Sequence, residues 1–450
     1  MPFTRLHIFL LTIIFYSISI KSEAESISLN GIWQSKKLQF FIEIKENIFS
    51  RYQYTNLSCF KGSAGFLPAA GYVSKSKFNN YFPYSISNNQ LFIKRPQENL
   101  FLTLTKIEKL PYACKGEPVD TILSNFYIFW QTINELYSFS HISKDAWADI
   151  FKKQLPSLID LDMRLFDSRE EEDIFLLSKL EEILYTVTDP HLLLIAPSVQ
   201  KTILADSSKN KFNDIYYNRK LLDKWLKKQL LNIRGEAVWF ANKNILVIES
   251  GKTLYINIIK LNDLGDSSRY DLSSIKNIKS VEDYLLTKLS HQSKVIVDLR
   301  FNDGGSIDVA NKLSSIFTEV EQPVTYIEVE DSTQLRLLSM NKGTGIKPSC
   351  LTILTSSFTA SAAEYLTLNL LQAQGKSIGE KTRGAFSPMI LKSLPNDWIL
   401  GVPPFKTYDE FDNPLPENKG IAPSISKNWI LEQQQYEPIN LHEYTKHCET

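Results

Sequence analysis

The 450-residue chain carries few of the residues that hold metals or redox groups. It has four cysteines, Cys59, Cys114, Cys350 and Cys448, and no C-x-x-C spacing. Its six histidines form no Cys/His cluster along the sequence, which argues against a zinc site; no metal and no other cofactor is expected. Charge of either sign is not in excess: 50 basic and 50 acidic residues cancel, and no basic patch points to a nucleic-acid partner. Internal repeats and low-complexity tracts are absent as well. With 43% hydrophobic and 22% charged residues the balance is that of a globular protein, long enough for two or three domains.

Long apolar runs are also missing, apart from residues 8–20 behind Arg5 and His7. That run is too short for an ordinary transmembrane helix, and Ser22-Glu23-Ala24 after it has the small-x-small form of a cleavage site. Residues 1–24 are read as a signal peptide, with an uncleaved anchor as the alternative. The expectation is an exported protein, periplasmic or secreted, with no stable membrane span after cleavage. Export permits disulfides. Cys59 and Cys114 fall in one N-terminal segment and are read as a pair; Cys350 and Cys448 either pair or stay as buried thiols.

Residues 25–116 show strand-like stretches at 39–44, 48–54, 90–93 and 100–104, separated by Asn47 and Asn88-Asn89, and form an expected β-rich domain. From Val119 the period changes: Ile122, Phe126, Phe129, Trp130, Ile133 and Tyr137 recur at three and four, as on a helix with an aromatic core stripe. Helices near Trp147 and over 169–184 complete a small helical bundle, 117–195. In 196–450, apolar runs at 254–259, 294–299 and 351–355 alternate with helices expected at 308–317 and 362–373. A further helix is expected to open at Ser280, from a capping-box pattern. The fold class is therefore α/β, with a largely parallel sheet covered by helices.

Four segments carry potential chemistry. Ser361, in Thr359-Ala360-Ser361-Ala362-Ala363-Glu364, follows a strand and opens a helix, which puts its hydroxyl at the positive end of the helix dipole. The Ala362 N–H there is one of the unsatisfied donors of a helix start, suited to an oxyanion. Ser361 could equally be a plain N-cap. Asp298-Leu299-Arg300-Phe301-Asn302-Asp303-Gly304-Gly305 leaves a buried strand and turns at paired glycines, whose amides can approach closely; an ordinary turn reads the same way. His191, in Thr188-Asp189-Pro190-His191, is the best candidate base, and Glu417, in the loop 416–423, could orient it or be merely solvated.

Together these segments resemble, in order and spacing, the superfamily of C-terminal processing (tail-specific) peptidases, the tricorn protease core and interphotoreceptor retinoid-binding protein. The resemblance runs over roughly residues 120–425. It rests on Val187 to His191, Asp298 to Gly305, Ser361 to Glu364, Gly379-Glu380-Lys381-Thr382-Arg383-Gly384 and Glu417 to Pro423. It implies a ClpP/crotonase-like core, Ser361 as nucleophile, and oxyanion donors at Ala362 and at Gly304 or Gly305. It also implies supporting roles for Asp298, Arg300, Asn302 and Glu364. Ala385 stands where tail-specific members carry the catalytic lysine, and Lys381 matches a lysine without that role, so a Ser–Lys dyad is not expected. Tricorn-like members use the histidine and the glutamate, here His191 and Glu417. Pro190 and Leu192 depart from the usual neighbours of that histidine, and residues 192–297 show no carboxylate-binding loop of a PDZ domain. The expected function is a serine peptidase acting on peptide or protein substrates, with the oligomeric state open. A lipid- or peptide-binding protein without catalysis and a serine esterase are the alternatives.

Overall fold

Local chemistry explains the first turn of the architecture. Asn88 and Asn89 both adopt left-handed backbone (φ 49° and 60°), the geometry that a two-residue hairpin demands, and they join strands Tyr84–Ser87 and Gln90–Lys94. The computed structural model describes residues 29–449 apart from 47, 63–70, 73–83, 95–100, 139–141, 206–227, 229, 262–272, 291–292, 319–324, 329–334, 338–346, 410, 412 and 430–438. The segment read as a signal peptide lies outside the described residues, as do His141 and His291. No helix among the described residues is long and apolar enough to cross a membrane.

The N-terminal strands form an eight-stranded antiparallel sheet, in which Gly31–Ser35 lies between Phe40–Lys45 and Phe101–Ile107. The Cys59–Cys114 disulfide ties its edge strand Cys59–Lys61 to the turn Tyr112–Lys115. Three helices follow: α1 (Ile122–Leu136), α2 (Lys144–Asp162) and α3 (Arg169–Tyr185). Thr121, Ser143 and Ser168 cap them with side-chain oxygens, each accepting a backbone N–H of the first turn. The aromatic stripe packs the first two helices together, with Trp130 stacked on Trp147 at 3.9 Å between ring centroids.

A seven-stranded sheet forms the second half. Glu236–Phe240, Ile245–Ser250 and Thr253–Ile258 run antiparallel to one another; Lys294–Asp298, Cys350–Thr355, Lys376–Gly379 and Ile425–Ser426 continue it in parallel. The sheet is thus mixed, its meander preceding the parallel part. Helices α4 (Ser273–Lys288), α5 (Ile307–Ser315) and α6 (Ala362–Gln372) connect its parallel strands. The core strands read as unbroken apolar runs because both faces are covered. Val295 and Val297 pack with Val281 of α4, Leu313 of α5 and Leu366 of α6, while Ile296 packs with Trp429 and Tyr444 of the C-terminal segment. A second disulfide, Cys350–Cys448, staples that segment to the sheet.

The helix expected to open at Ser280 begins at Ser273 instead, so Ser280 sits within α4. The Ser-x-x-Asp spacing that mimics a capping box also puts the two residues on one face of a continuous helix, and the sequence pattern does not separate the cases.

The two halves meet at a smaller antiparallel sheet ordered Lys201–Leu204, Leu193–Ala196, Ile399–Val402 and Ile390–Ser393. Across this junction Gln53 of the N-terminal sheet grips Ser393: the Ser393 N–H donates to Gln53 Oε1 at 2.7 Å, and Gln53 Nε2 donates back to the Ser393 carbonyl. Beside it the buried Lys392 donates to the carbonyls of Leu38 and Gln39, both at 2.7 Å. Burial holds the Lys392 ammonium well below its usual range, and nearby Arg51 adds to the effect.

Candidate active site

The loops that matter leave the carboxyl ends of two adjacent parallel strands. Strand Cys350–Thr355 runs through 356–360 into Ser361, the residue before α6. Ser361 adopts φ 56° and ψ −128°, a conformation disfavoured for any side chain with a Cβ. The surrounding loop holds it there. Thr359 Oγ1 donates to the Leu299 carbonyl (2.9 Å), Ala360 N–H to the Asn302 carbonyl (3.1 Å), and Arg383 N–H to the Thr359 carbonyl (2.9 Å).

The glycine turn backs directly onto the serine. Gly304 has φ +110°, and a Cβ placed there would stand 2.5 Å from Ser361 Cβ and 2.9 Å from Ala362 N. Its own N–H donates to Asn302 Oδ1 at 2.8 Å, and its carbonyl accepts from Leu261 N at 2.9 Å. Of the two glycines named from the sequence, Gly304 therefore has its amide committed within the loop. The contact with Leu261 is completed by Ser306 N–H (3.2 Å), a parallel bridge that leaves the intervening Gly305 amide pointing the other way. Asn302 also donates Nδ2 to the Ile258 carbonyl at 3.0 Å, which locks its side chain.

Asp298 and Arg300 brace this loop from beneath. Asp298 is fully buried and accepts from Arg300 Nε (2.9 Å), Arg300 Nη2 (2.7 Å) and Tyr255 Oη (2.6 Å). The Arg300 guanidinium also stacks over Trp429 at 4.5 Å. Both side chains are spent on each other and on packing.

Glu364 ties the serine to the next motif. Fully buried, it accepts from Ser361 N–H (3.0 Å), Thr382 Oγ1 (2.6 Å), Gly384 N–H (2.7 Å) and Ala385 N–H (2.7 Å). Burial raises its carboxyl above the usual range although these four donors pull the other way. One turn along α6, Tyr365 donates its hydroxyl to the Phe386 carbonyl at 2.7 Å. Lys381 is exposed and Ala385 buried.

Glu417 continues the chain. Its Oε2 accepts from Phe386 N–H (3.0 Å) and Ser387 N–H (2.9 Å). Its residue keeps some exposed surface, yet Oε1 is enclosed and has no hydrogen-bond partner among the described residues. Burial, reinforced by the charges of Asp189 and Glu364, pushes this carboxyl up to about 8. Asp189, whose charge bears on Glu417, belongs to the turn that carries His191. In that turn the half-buried His191 donates its backbone N–H to Asp189 Oδ1 at 2.7 Å, and strand Leu193–Ala196 begins just after it.

Short contacts thus link Gly304, Ser361, Glu364 and, through the 382–387 segment, Glu417, while His191 is tied through its backbone to Asp189. Sequence reasoning did not single out Tyr365 and Thr382 in the first group, or Asp189 and Tyr137 beside His191. Asp189 lies within the histidine motif, a signal that was available; Tyr137 was read only as core. Contrary to the sequence reading of no Cys/His cluster, the fold gathers Cys350, His447 and Cys448, whose ligand-type atoms lie within 4.8 Å of one another. They converge because the C-terminal turn Glu443–Cys448 packs on the start of a core strand, and both sulfurs are taken up in the disulfide.

Residues 252–426 match the model of peptidase family S41. A CtpA-like serine protease described from Staphylococcus haemolyticus is 29% identical over 195 residues, 43% of this chain and 37% of that protein. The chain therefore matches little more than a third of that relative's length. Among solved structures, a candidate peptidase from Parabacteroides merdae aligns with TM-score 0.49 and 15% identity, over 70% of this chain and 94% of that one. A lipoprotein from Streptococcus agalactiae aligns with TM-score 0.43 and 16% identity, over 74% and 98%. Likenesses this distant carry no argument about the site.

Proposed function

We propose that the chain, whose residues 252–426 match the model of peptidase family S41, is an exported serine peptidase with Ser361 as its nucleophile. The observation that carries the reading is the backbone of Ser361. A non-glycine residue with φ 56° at the start of a helix, backed by a glycine turn that leaves no room for a Cβ, is costly to fold. On this reading the Ala362 and Gly305 amides meet the oxyanion that develops when the hydroxyl attacks.

Ser361 Oγ attacks the peptide carbonyl while His191 takes its proton and later gives it to the leaving amine. Glu417 fixes the histidine tautomer and stabilises the imidazolium; its enclosed Oε1 is an acceptor that calls for such a donor. Ala362 and Gly305 hold the oxyanion. Gly304 serves as the close-packing residue, and Asp298, Arg300, Asn302 and Glu364 hold the loops. The core is read as ClpP/crotonase-like, and the two disulfides accord with export.

The test is an alkyl fluorophosphonate probe on the mature protein, with the adduct mapped by mass spectrometry. Labelling at Ser361 that disappears in Ser361→Ala supports the reading. No labelling of folded protein would sink it in favour of a binding protein, and turnover of esters but not amides would make it an esterase.

A further inference from the structure

The turn that carries His191 is organised by its neighbour. Asp189 is buried, and its Oδ1 accepts both the His191 N–H (2.7 Å) and the Leu192 N–H (3.2 Å), a side-chain-closed turn. Its Oδ2 accepts the hydroxyl of Tyr137 at 2.7 Å. Tyr137 is itself fixed: it caps α1, and its own N–H donates to the Ile133 carbonyl at 2.9 Å. Between Asp189 and His191 stands Pro190, whose ring fixes φ and offers no N–H. The backbone of His191 therefore takes its position from the Asp189 carboxylate, and Asp189 takes its own from the helical segment.

The same carboxylate bears on Glu417. Among the described residues, the charges that bear on Glu417 are those of Asp189 in this turn and Glu364 in α6, and Glu417 bears in turn on Tyr365; Lys419 on its own loop is exposed. Burial is the larger cause of the raised Glu417 carboxyl and Asp189 the next, so removing one negative charge has a defined consequence.

We infer that Asp189, anchored by Tyr137 at the end of α1, is a positioning residue that fixes the turn carrying His191. This inference rests on the role given above to His191. Asp189→Asn keeps an acceptor oxygen for the two backbone amides and removes the charge. Tyr137→Phe keeps the packing and removes the anchor.

The decisive measurement does not need activity. Nitrogen-15 NMR of histidine-labelled protein follows the His191 amide, assigned by its loss in His191→Gln. Hydrogen exchange at that amide should quicken about tenfold in Tyr137→Phe, and more in Asp189→Ala than in Asp189→Asn, which keeps the acceptor. In parallel, Tyr137→Phe should lower kcat for peptide hydrolysis about tenfold with KM unchanged, consistent with a displaced base. Unchanged exchange of the His191 amide in folded Tyr137→Phe overturns the inference. Failure of Ser361 to react with the probe would instead count against the peptidase reading and leave the NMR comparison to decide this one.

Discussion

The Glu364 carboxylate accepts the N–H of Ser361 at 3.0 Å from the first turn of the helix that Ser361 opens. One buried acid thereby holds the strained serine and, through Gly384 and Ala385, the start of the segment that supplies Glu417 with its donors. Replacing it with alanine leaves three backbone amides unpaired, those of Gly384 and Ala385 buried and that of Ser361 half-buried, at about 1–3 kcal/mol each. Glu364→Ala should therefore lose at least about 3 kcal/mol of unfolding free energy, as read by denaturant titration. A loss below about 1 kcal/mol would show that the loops hold without it.

Gly304 is where the glycine turn and the Ser361 loop touch. In Gly304→Ala the new methyl would meet Ser361 Cβ at 2.5 Å and the Ala360 carbonyl at 2.8 Å, at a φ of +110° that alanine avoids. Because backbone and not a flexible side chain stands in the way, the serine turn must shift. We expect fluorophosphonate labelling to fall at least about 100-fold, the scale of a displacement near 1 Å, with a stability loss of about 1–3 kcal/mol. Wild-type labelling by this variant would show that the turn accommodates a Cβ.

If Glu417 has the role proposed for it, activity and stability should follow opposite pH trends. Its carboxyl is raised to about 8 in the fold. The ionised form is the one that stabilises an imidazolium, so hydrolysis should rise with pH through a midpoint near 8. For stability the sign is reversed. Between the ordinary carboxylate range and about 8 the folded protein holds a proton that the unfolded chain has released. Stability from this group is therefore complete at acid pH and declines as pH rises through that window. Glu417→Gln should abolish hydrolysis and be more stable than wild type at pH 8–9. Thermal denaturation and rate measurements over pH 5–9 test both; equal pH slopes for the two proteins would contradict this account.

Much of this was legible in the chain because it rests on short-range rules. Ser361, Ala362 and Glu364 lie within one helical turn, so their contacts follow from spacing alone. Strands such as Lys294–Asp298 announce themselves as continuous apolar runs because they are covered on both faces. What stayed hidden depends on distance in sequence. The hydroxyl of Tyr137 reaches Asp189 across 52 residues, and its sequence context is indistinguishable from that of its core neighbours. Whether the Gly304 or the Gly305 amide is available turned on Asn302 Oδ1 and on a bridge to Leu261, neither of which periodicity records. The start of α4 was misjudged because a capping box and a mid-helix pair share one spacing.

The grip of Gln53 on Ser393 also dictates an order of events during synthesis. The two residues are 340 positions apart, and Lys392 lies 354 positions beyond Leu38. At about 5–20 residues per second, the N-terminal strands leave the ribosome tens of seconds before their docking partners exist. Until then the Gln53 amide must be served by water or by another protein. A chain that stops short of Lys392 never acquires these bonds, so an incomplete molecule differs from a finished one at its N-terminal sheet as well as at its missing end.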